Sequence, residues 1–117
     1  MSEEPISWDR LKTRRPTDAD RDALRTEWVD RALEVRRNGW DAYRSEWSSG
    51  DLAGVAYLLG DTAMLEELEE YEGSVLTRFA GNLYGFNGAR KDIEAGLVGT
   101  QAWVATVQKE LNGRGSA

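Results

Sequence analysis

Residues 52 to 59 read LAGVAYLL, and how this run folds decides the class of the whole chain. Two readings compete. Leu52, Val55, Ala56 and Leu59 recur at the spacing of one helix face. The shorter run VAYLL, between Gly54 and Gly60, has the length and apolar content of a buried strand. A strand needs a neighbour, because each unpaired buried N–H or C=O is a polar group left unmet. No other stretch offers a convincing second strand. The helix is therefore the expected state, and an all-α fold follows from it.

Ahead of this run, Ser48-Ser49-Gly50-Asp51 is polar punctuation. Further back, Pro16-Thr17-Asp18 signals a helix start, with Thr17 or Asp18 as the cap and Asp18, Asp20 and Asp22 at the positive end of the dipole. The stripe Leu24, Trp28, Ala32 and Val35, widened by Val29 and Leu33, carries that helix to Asn38. Glu27 and Arg31 are spaced for an i,i+4 ion pair on its solvent side. Asn38-Gly39 is a stop signal. Trp40, Tyr43 and Trp47 then fall at i, i+3, i+7, which predicts a second helical face after a break or kink at Asn38-Gly39.

Beyond the run, Gly60-Asp61 ends one element and caps the next. Met64, Leu65, Leu68, Tyr71, Val75, Leu76, Phe79 and Leu83 predict one helix from Thr62 to about Tyr84. Gly85-Phe86-Asn87-Gly88 reads as a turn, and Ala89, Ile93, Leu97, Thr100, Val104, Val107 and Leu111 form the last stripe. Gly96 and Gly99 inside it mark a break near residue 98 or a close approach of another backbone. The expected architecture is a single-domain bundle of four to five helices: an N-terminal arm over 1–15, a helical domain over 16–112 and a flexible tail over 113–117. The arm is expected to dock by Trp8 and Leu11, its basic cluster Lys12, Arg14 and Arg15 pairing with acids of the domain or contacting a phosphate.

Composition limits the chemistry. The 117 residues fit one domain, and 40% apolar content with five Trp is enough to form a core. There is no Cys and no His. That removes the thiolate nucleophile, the imidazole base, the Ser-His-Asp triad and the Cys/His zinc site. Catalysis would fall to Asp, Glu, Lys, Arg, Tyr or Ser, and a metal would have to be a hard ion held by oxygen. The net charge is −6, which disfavours nucleic acid as a partner. All of the excess lies after residue 45, where eleven acids face five bases. No apolar run reaches the length of a membrane span, and MSEEPISW lacks the apolar segment of a secretory signal. A cytoplasmic protein is expected, and twelve Arg against three Lys suggests a GC-rich bacterial or phage source.

Two stretches could carry function. In the acidic run Glu66-Glu67-Leu68-Glu69-Glu70, with Asp61 before and Glu72 after, Glu66 shares a helical face with Glu69 and Glu70. Such carboxylates can hold Mg²⁺, line a docking face for a basic partner, or form a solvated surface. The string EExxE (Glu66, Glu67, Glu70) resembles the first half of the metal motif of the all-α, MazG-like nucleotide pyrophosphohydrolases. That resemblance would imply Mg²⁺-dependent hydrolysis with Glu66, Glu67 and Glu70 as ligands. The ExxD pair that the family places on the following helix is missing, because Ala89 stands three residues before Asp92. The other stretch is aromatic. Trp40, Tyr43 and Trp47 suit a core, a partner interface, or, with Trp28, the wall of a small-molecule pocket. Tyr57, Tyr71, Phe79, Tyr84 and Phe86 add to an expected aromatic core. GFNGARK (Gly85 to Lys91) lacks the spacing of a phosphate loop and reads as a helix–helix turn.

The expected function is a small acidic module for protein–protein interaction or regulation, of antitoxin, immunity, inhibitor or phage-assembly type, without catalysis or cofactor. Its partner would be another protein, a basic one or a second copy of the chain. Candidate contacts are Trp40, Tyr43, Trp47, Glu66, Glu69 and Glu70. The alternatives are a Mg²⁺-dependent phosphohydrolase using the clustered Glu and a ligand-binding domain with a Trp/Tyr-lined cavity.

Overall fold

A computed structural model describes residues 16–115 of the chain. The arm over 1–15 and the last two residues of the expected tail lie outside the described residues. Helix takes 79% of the structure, in five elements, with no strand among the described residues. The elements are α1 (Asp18–Asn38), α2 (Ser49–Leu59), α3 (Thr62–Glu67), α4 (Glu72–Glu94) and α5 (Val98–Gly115). The chain is an all-α bundle, and no helix is long and apolar enough to cross a membrane.

α1 starts with a capping box. The Thr17 hydroxyl accepts from the Asp20 amide at 3.1 Å, and the Asp20 carboxylate accepts from the Thr17 amide at 2.8 Å. Two orphan donors are met at once. The helix buries Trp28, Val29, Ala32 and Val35 and ends at Gly39, whose φ of 81° is open to glycine at no steric cost. Arg31 bonds Glu27 at 3.0 Å, the expected pair, and also Asp51 at 3.2 Å.

LAGVAYLL is a helix. Ser48 caps α2 by accepting from the Asp51 amide, and Gly60, left-handed at φ 72°, closes it. Leu52, Ala53, Gly54, Val55, Ala56 and Leu58 are all buried, so α2 is apolar almost all round. A helix enclosed on most sides shows little amphipathic pattern, which is why the run resembles a strand in sequence. Its small residues admit neighbours closely. A Cβ on Gly54 would lie 2.7 Å from the Trp28 ring and 3.2 Å from Phe79. Trp28 meets Phe79 edge-on at 4.9 Å, and Trp103 of α5 lies 5.3 Å from Phe79 on its other contact. These three rings join α1, α4 and α5 around α2.

Three sequence expectations need correction. Residues 40–47 are not a helix but consecutive turns, held by Tyr43 N–H to Trp40 O and Trp47 N–H to Tyr43 O. Tight turns and a helix share short-range spacing, so Tyr43 still stacks on Trp47 at 4.4 Å. Second, the helix from Thr62 to Tyr84 is broken. α3 stops at Glu67, Glu69 turns left-handed at φ 56°, and the Glu70 amide reaches back to Leu65 O. That 6→1 bond is the mark of a Schellman-type stop. Third, the reversal expected over 85–88 sits on Gly85 alone (φ 77°, ψ −177°), and Asn87 and Gly88 are already helical. A straight helix over Gly73 to Glu94 would part its ends by about 30 Å. Instead Leu97 shares one shallow hollow with Gly73, Ser74 and Thr77, so the chain doubles back at Gly85.

The break before α5 comes at Ala95–Leu97, with Gly96 at φ 86° and Leu97 at φ 62°. Leu97 cannot cap. Asp92 does the work from seven and eight residues away, accepting from the Gly99 and Thr100 amides (both 2.9 Å) and the Thr100 hydroxyl (2.6 Å). Burial pushes the Asp92 carboxyl up, but these three donors outweigh it and hold its pKa below the ordinary value. Gly99 is also a close approach: a Cβ there would meet the Tyr84 hydroxyl at 2.6 Å. α5 continues to Gly115, past the end expected at residue 112.

Candidate functional site

The turns over 40–47 pack against α3, so the structure brings the aromatic stretch and the acidic run to the same end of the molecule. Asp61 is the hinge between them. One carboxylate oxygen caps α3 by accepting from the Met64 amide at 3.0 Å, and the other accepts from the Trp40 indole N–H at 2.9 Å. Arg44 reaches across to Glu67 with both terminal guanidinium nitrogens, Nη2 to Oε1 at 3.2 Å and Nη1 to Oε2, and its Nε bonds Asp41 at 3.2 Å. The hydrogen bond from Arg44 lowers the Glu67 pKa, and the bond to Glu67 raises that of Arg44.

The candidate aromatics take different places. Trp28 and Tyr43 are buried in the core, and Trp40 and Trp47 are half-buried against it. Tyr43 receives a hydrogen bond from the Asn38 side chain at 2.7 Å. Arg31 lies over the rings of both Trp28 and Trp47, at 4.8 and 5.7 Å. Of the four pocket candidates, Trp28 lines a hollow beside Gly54, Val75 and Phe79. Its volume is about 30 Å³, room for one water rather than an organic ligand.

The acids also divide. Glu67 is held by Arg44, and Glu70 is half-buried against Arg78 at 2.9 Å. Glu66, Glu69 and Glu72 are exposed and form no ion pair with the described residues. No group of three or more carboxylates converges as a metal cage would require among the described residues. Glu72 stands near Tyr57, whose pKa is raised by partial burial and then by that carboxylate.

Between the exposed acids stands a residue that the sequence reading placed in the core. Tyr71 is 78% exposed. The reason is the left-handed Glu69: it ends α3 and rotates the chain, so Tyr71 becomes the extended N-cap residue of α4 (φ −106°, ψ 150°) instead of continuing the apolar face. Phe86 is a second misplaced ring, exposed just after the reversal at Gly85. Periodicity cannot reveal either, because both follow a break in helical phase.

The bend from Glu66 to Glu72 thus carries an exposed phenol ring and, close to it in sequence, three exposed carboxylates with no ion pair to the described residues. Such a surface can stack on a guanidinium or ammonium group and pair with its neighbours in sequence. No protein-family model matches the chain, and no curated protein or solved structure is significantly similar to it.

Proposed function

We propose that this protein is a small acidic interaction or regulatory module, of antitoxin, immunity, inhibitor or phage-assembly type, and that its Glu66–Glu72 bend receives a basic segment of another protein. The observation that carries this reading is the exposed Tyr71 ring, which follows the exposed Glu66 and Glu69 in sequence and precedes the exposed Glu72. Tyrosine is among the side chains that dominate interface energetics, because it brings a large rigid ring with few rotors and a polar tip. Exposing it in water costs free energy that a partner recovers on covering it. The three acids set the partner's charge and its rate of approach. Trp40 and Arg44 tie residues 40–47 to α3 through Asp61 and Glu67, and Trp40, Tyr43 and Trp47 are not the contact surface in this reading. The Mg²⁺ reading is less well supported, because two of its three ligands would first have to leave arginines.

The test compares tagged wild-type chain with Tyr71→Ala as bait in extracts of the source cell. Tyr71→Ala should keep its stability within about 0.5 kcal/mol, as exposed surface substitutions do. It should lose a captured basic protein that the wild type retains, with a loss of at least about 30-fold in affinity for a hot-spot tyrosine. Equal capture by both baits would remove this surface from the account.

A further inference from the structure

Gly85 divides α4 into two pieces, yet the sequence keeps one phase across it. Leu76, Phe79, Leu83, Phe86, Arg90 and Ile93 follow one another at alternating steps of three and four. On one straight helix all six would fall within about 100° of each other, the width of a single apolar face. The reversal cuts that face in two. Leu76, Phe79 and Leu83 are buried in the core, whereas Phe86 is 59% and Ile93 42% exposed. Nothing among the described residues covers these two. Their phase points to a second state, in which α4 runs straight through Gly85 and the face is whole. Arg90, inside the stripe, can keep its charge in water while its stem covers apolar surface.

The hinge is a single residue. Only Gly85 leaves helical geometry inside α4, whereas connections between packed helices commonly take about 2–8 residues. Its φ of 77° and ψ of −177° lie in a region essentially reserved to glycine. A reversal there also leaves carbonyls without helical partners, as any helix end does. Arg21 answers one of them: its Nη1 donates to Leu83 O at 3.0 Å, and its guanidinium lies 5.4 Å from the centre of the Tyr84 ring. So short a hinge between two helices is the setting in which identical elements exchange between copies. Once Gly85 turns helical, residues 86–115 swing off their own core, and a second copy offers the surface that they left. The contacts to be re-formed are on the page: Trp103 against Phe79 at 5.3 Å, Arg36 Nη1 to Leu111 O at 2.7 Å, and Arg25 to Glu110 at 3.4 Å. The net charge of −6 slows the approach of two copies, but salt at physiological strength screens it beyond about 8 Å.

We propose that this chain forms an exchanged dimer. α4 straightens at Gly85, each copy's residues 86–115 pack on the core of the other, and the Phe86–Ile93 stripe is covered where the two straight helices cross. The Glu66–Glu72 bend lies outside the exchanged segment, so either idea can fail without the other.

Gly85→Ala should drive the exchange, because alanine resists the reversal and favours the helix. Refolded at high concentration and read by size exclusion with light scattering, it should show twice the mass of one chain. Its dimer–monomer equilibrium constant should exceed that of the wild type at least about tenfold. Phe86→Glu with Ile93→Glu, added to it, should lower that constant; no change overturns the covered stripe. Arg25→Cys with Glu110→Cys, in a chain with no native Cys, tells exchange from simple pairing. A short bis-maleimide joins these positions within one chain in the compact monomer and between chains in the exchanged dimer, which a denaturing gel separates. A folded Gly85→Ala chain that stays monomeric overturns the proposal, and so does a dimer whose cross-links stay within each chain. Should Gly85→Ala fail to fold, the wild-type background refolded at high concentration decides: cross-links between chains uphold the exchange, and their absence overturns it.

Discussion

Glu69→Gly separates the structure from the plain helical reading of residues 62–84 by the sign of one number. In an unbroken helix, glycine at an exposed interior site costs about 0.8–1 kcal/mol. In the structure Glu69 sits left-handed at φ 56°, at the position after a helix end where glycine is preferred. A side chain there costs about 1–2 kcal/mol of contact between Cβ and the following carbonyl. Glycine removes that cost, and gives back about 0.4–1 kcal/mol through the greater freedom of the unfolded chain. The net expectation is a stabilisation of about 0.5–1 kcal/mol, or a rise of a few degrees in Tm for a domain of this size. Glu69 forms no ion pair among the described residues, so little else is lost. Urea unfolding followed by far-UV circular dichroism and by Trp fluorescence gives the value. A destabilisation near 1 kcal/mol would mean that α3 and α4 are one helix, and Tyr71 would then return to the apolar face and lose its role.

Further outcomes follow from close contacts and caps. Gly54→Ala should destabilise by about 1–3 kcal/mol, as overpacking does, because the new methyl meets Trp28 at 2.7 Å. Gly81→Ala, with open space around it, should stabilise by up to about 1 kcal/mol; the same sign in both unfolding curves would mean that α2 is not packed as described. Asp92→Asn should cost about 1 kcal/mol, the usual worth of a helix cap. Because the folded Asp92 pKa lies below its ordinary 3.8, its contribution is complete above that value and is lost as pH falls through the folded pKa. Acid unfolding of Asp92→Asn should therefore be less steep than wild type below about pH 4, and parallel curves would contradict the capping role. Arg44→Ala should leave stability nearly unchanged, since exposed ion pairs contribute little; a marked loss would identify the Glu67 pair as structural.

Local signals made much of the fold legible. The Thr17 cap, the stripe from Trp28 to Val35 and the stop at Asn38-Gly39 lie within a few residues of the groups they satisfy. LAGVAYLL could be assigned as a helix by asking where a strand would find a partner. What escaped depends on contacts distant in sequence or on a residue acting against type. Glu69 carries no mark of a left-handed conformation, and Leu68, Tyr71 and Val75 keep helical spacing across the break that it makes. Asp92 caps a helix it does not precede, and only the fold brings it to Gly99 and Thr100. The candidate site was legible in its acids and not in its ring. Glu66 and Glu69 are exposed as a docking face requires, whereas Tyr71, the residue most available to a partner, looked like core.

The measurement closest to the central claim replaces Tyr71 by a photoreactive benzoylphenylalanine in the full chain, expressed in its own cell and irradiated. The same label at Ala105, an exposed site on α5, serves as the comparison. Position 71 should yield one discrete adduct with a basic protein, weakened when Glu66, Glu69 and Glu72 are changed to Lys, and position 105 should not yield it. An adduct that forms equally from both positions, or none at all from position 71, would contradict the reading of this bend as the docking surface.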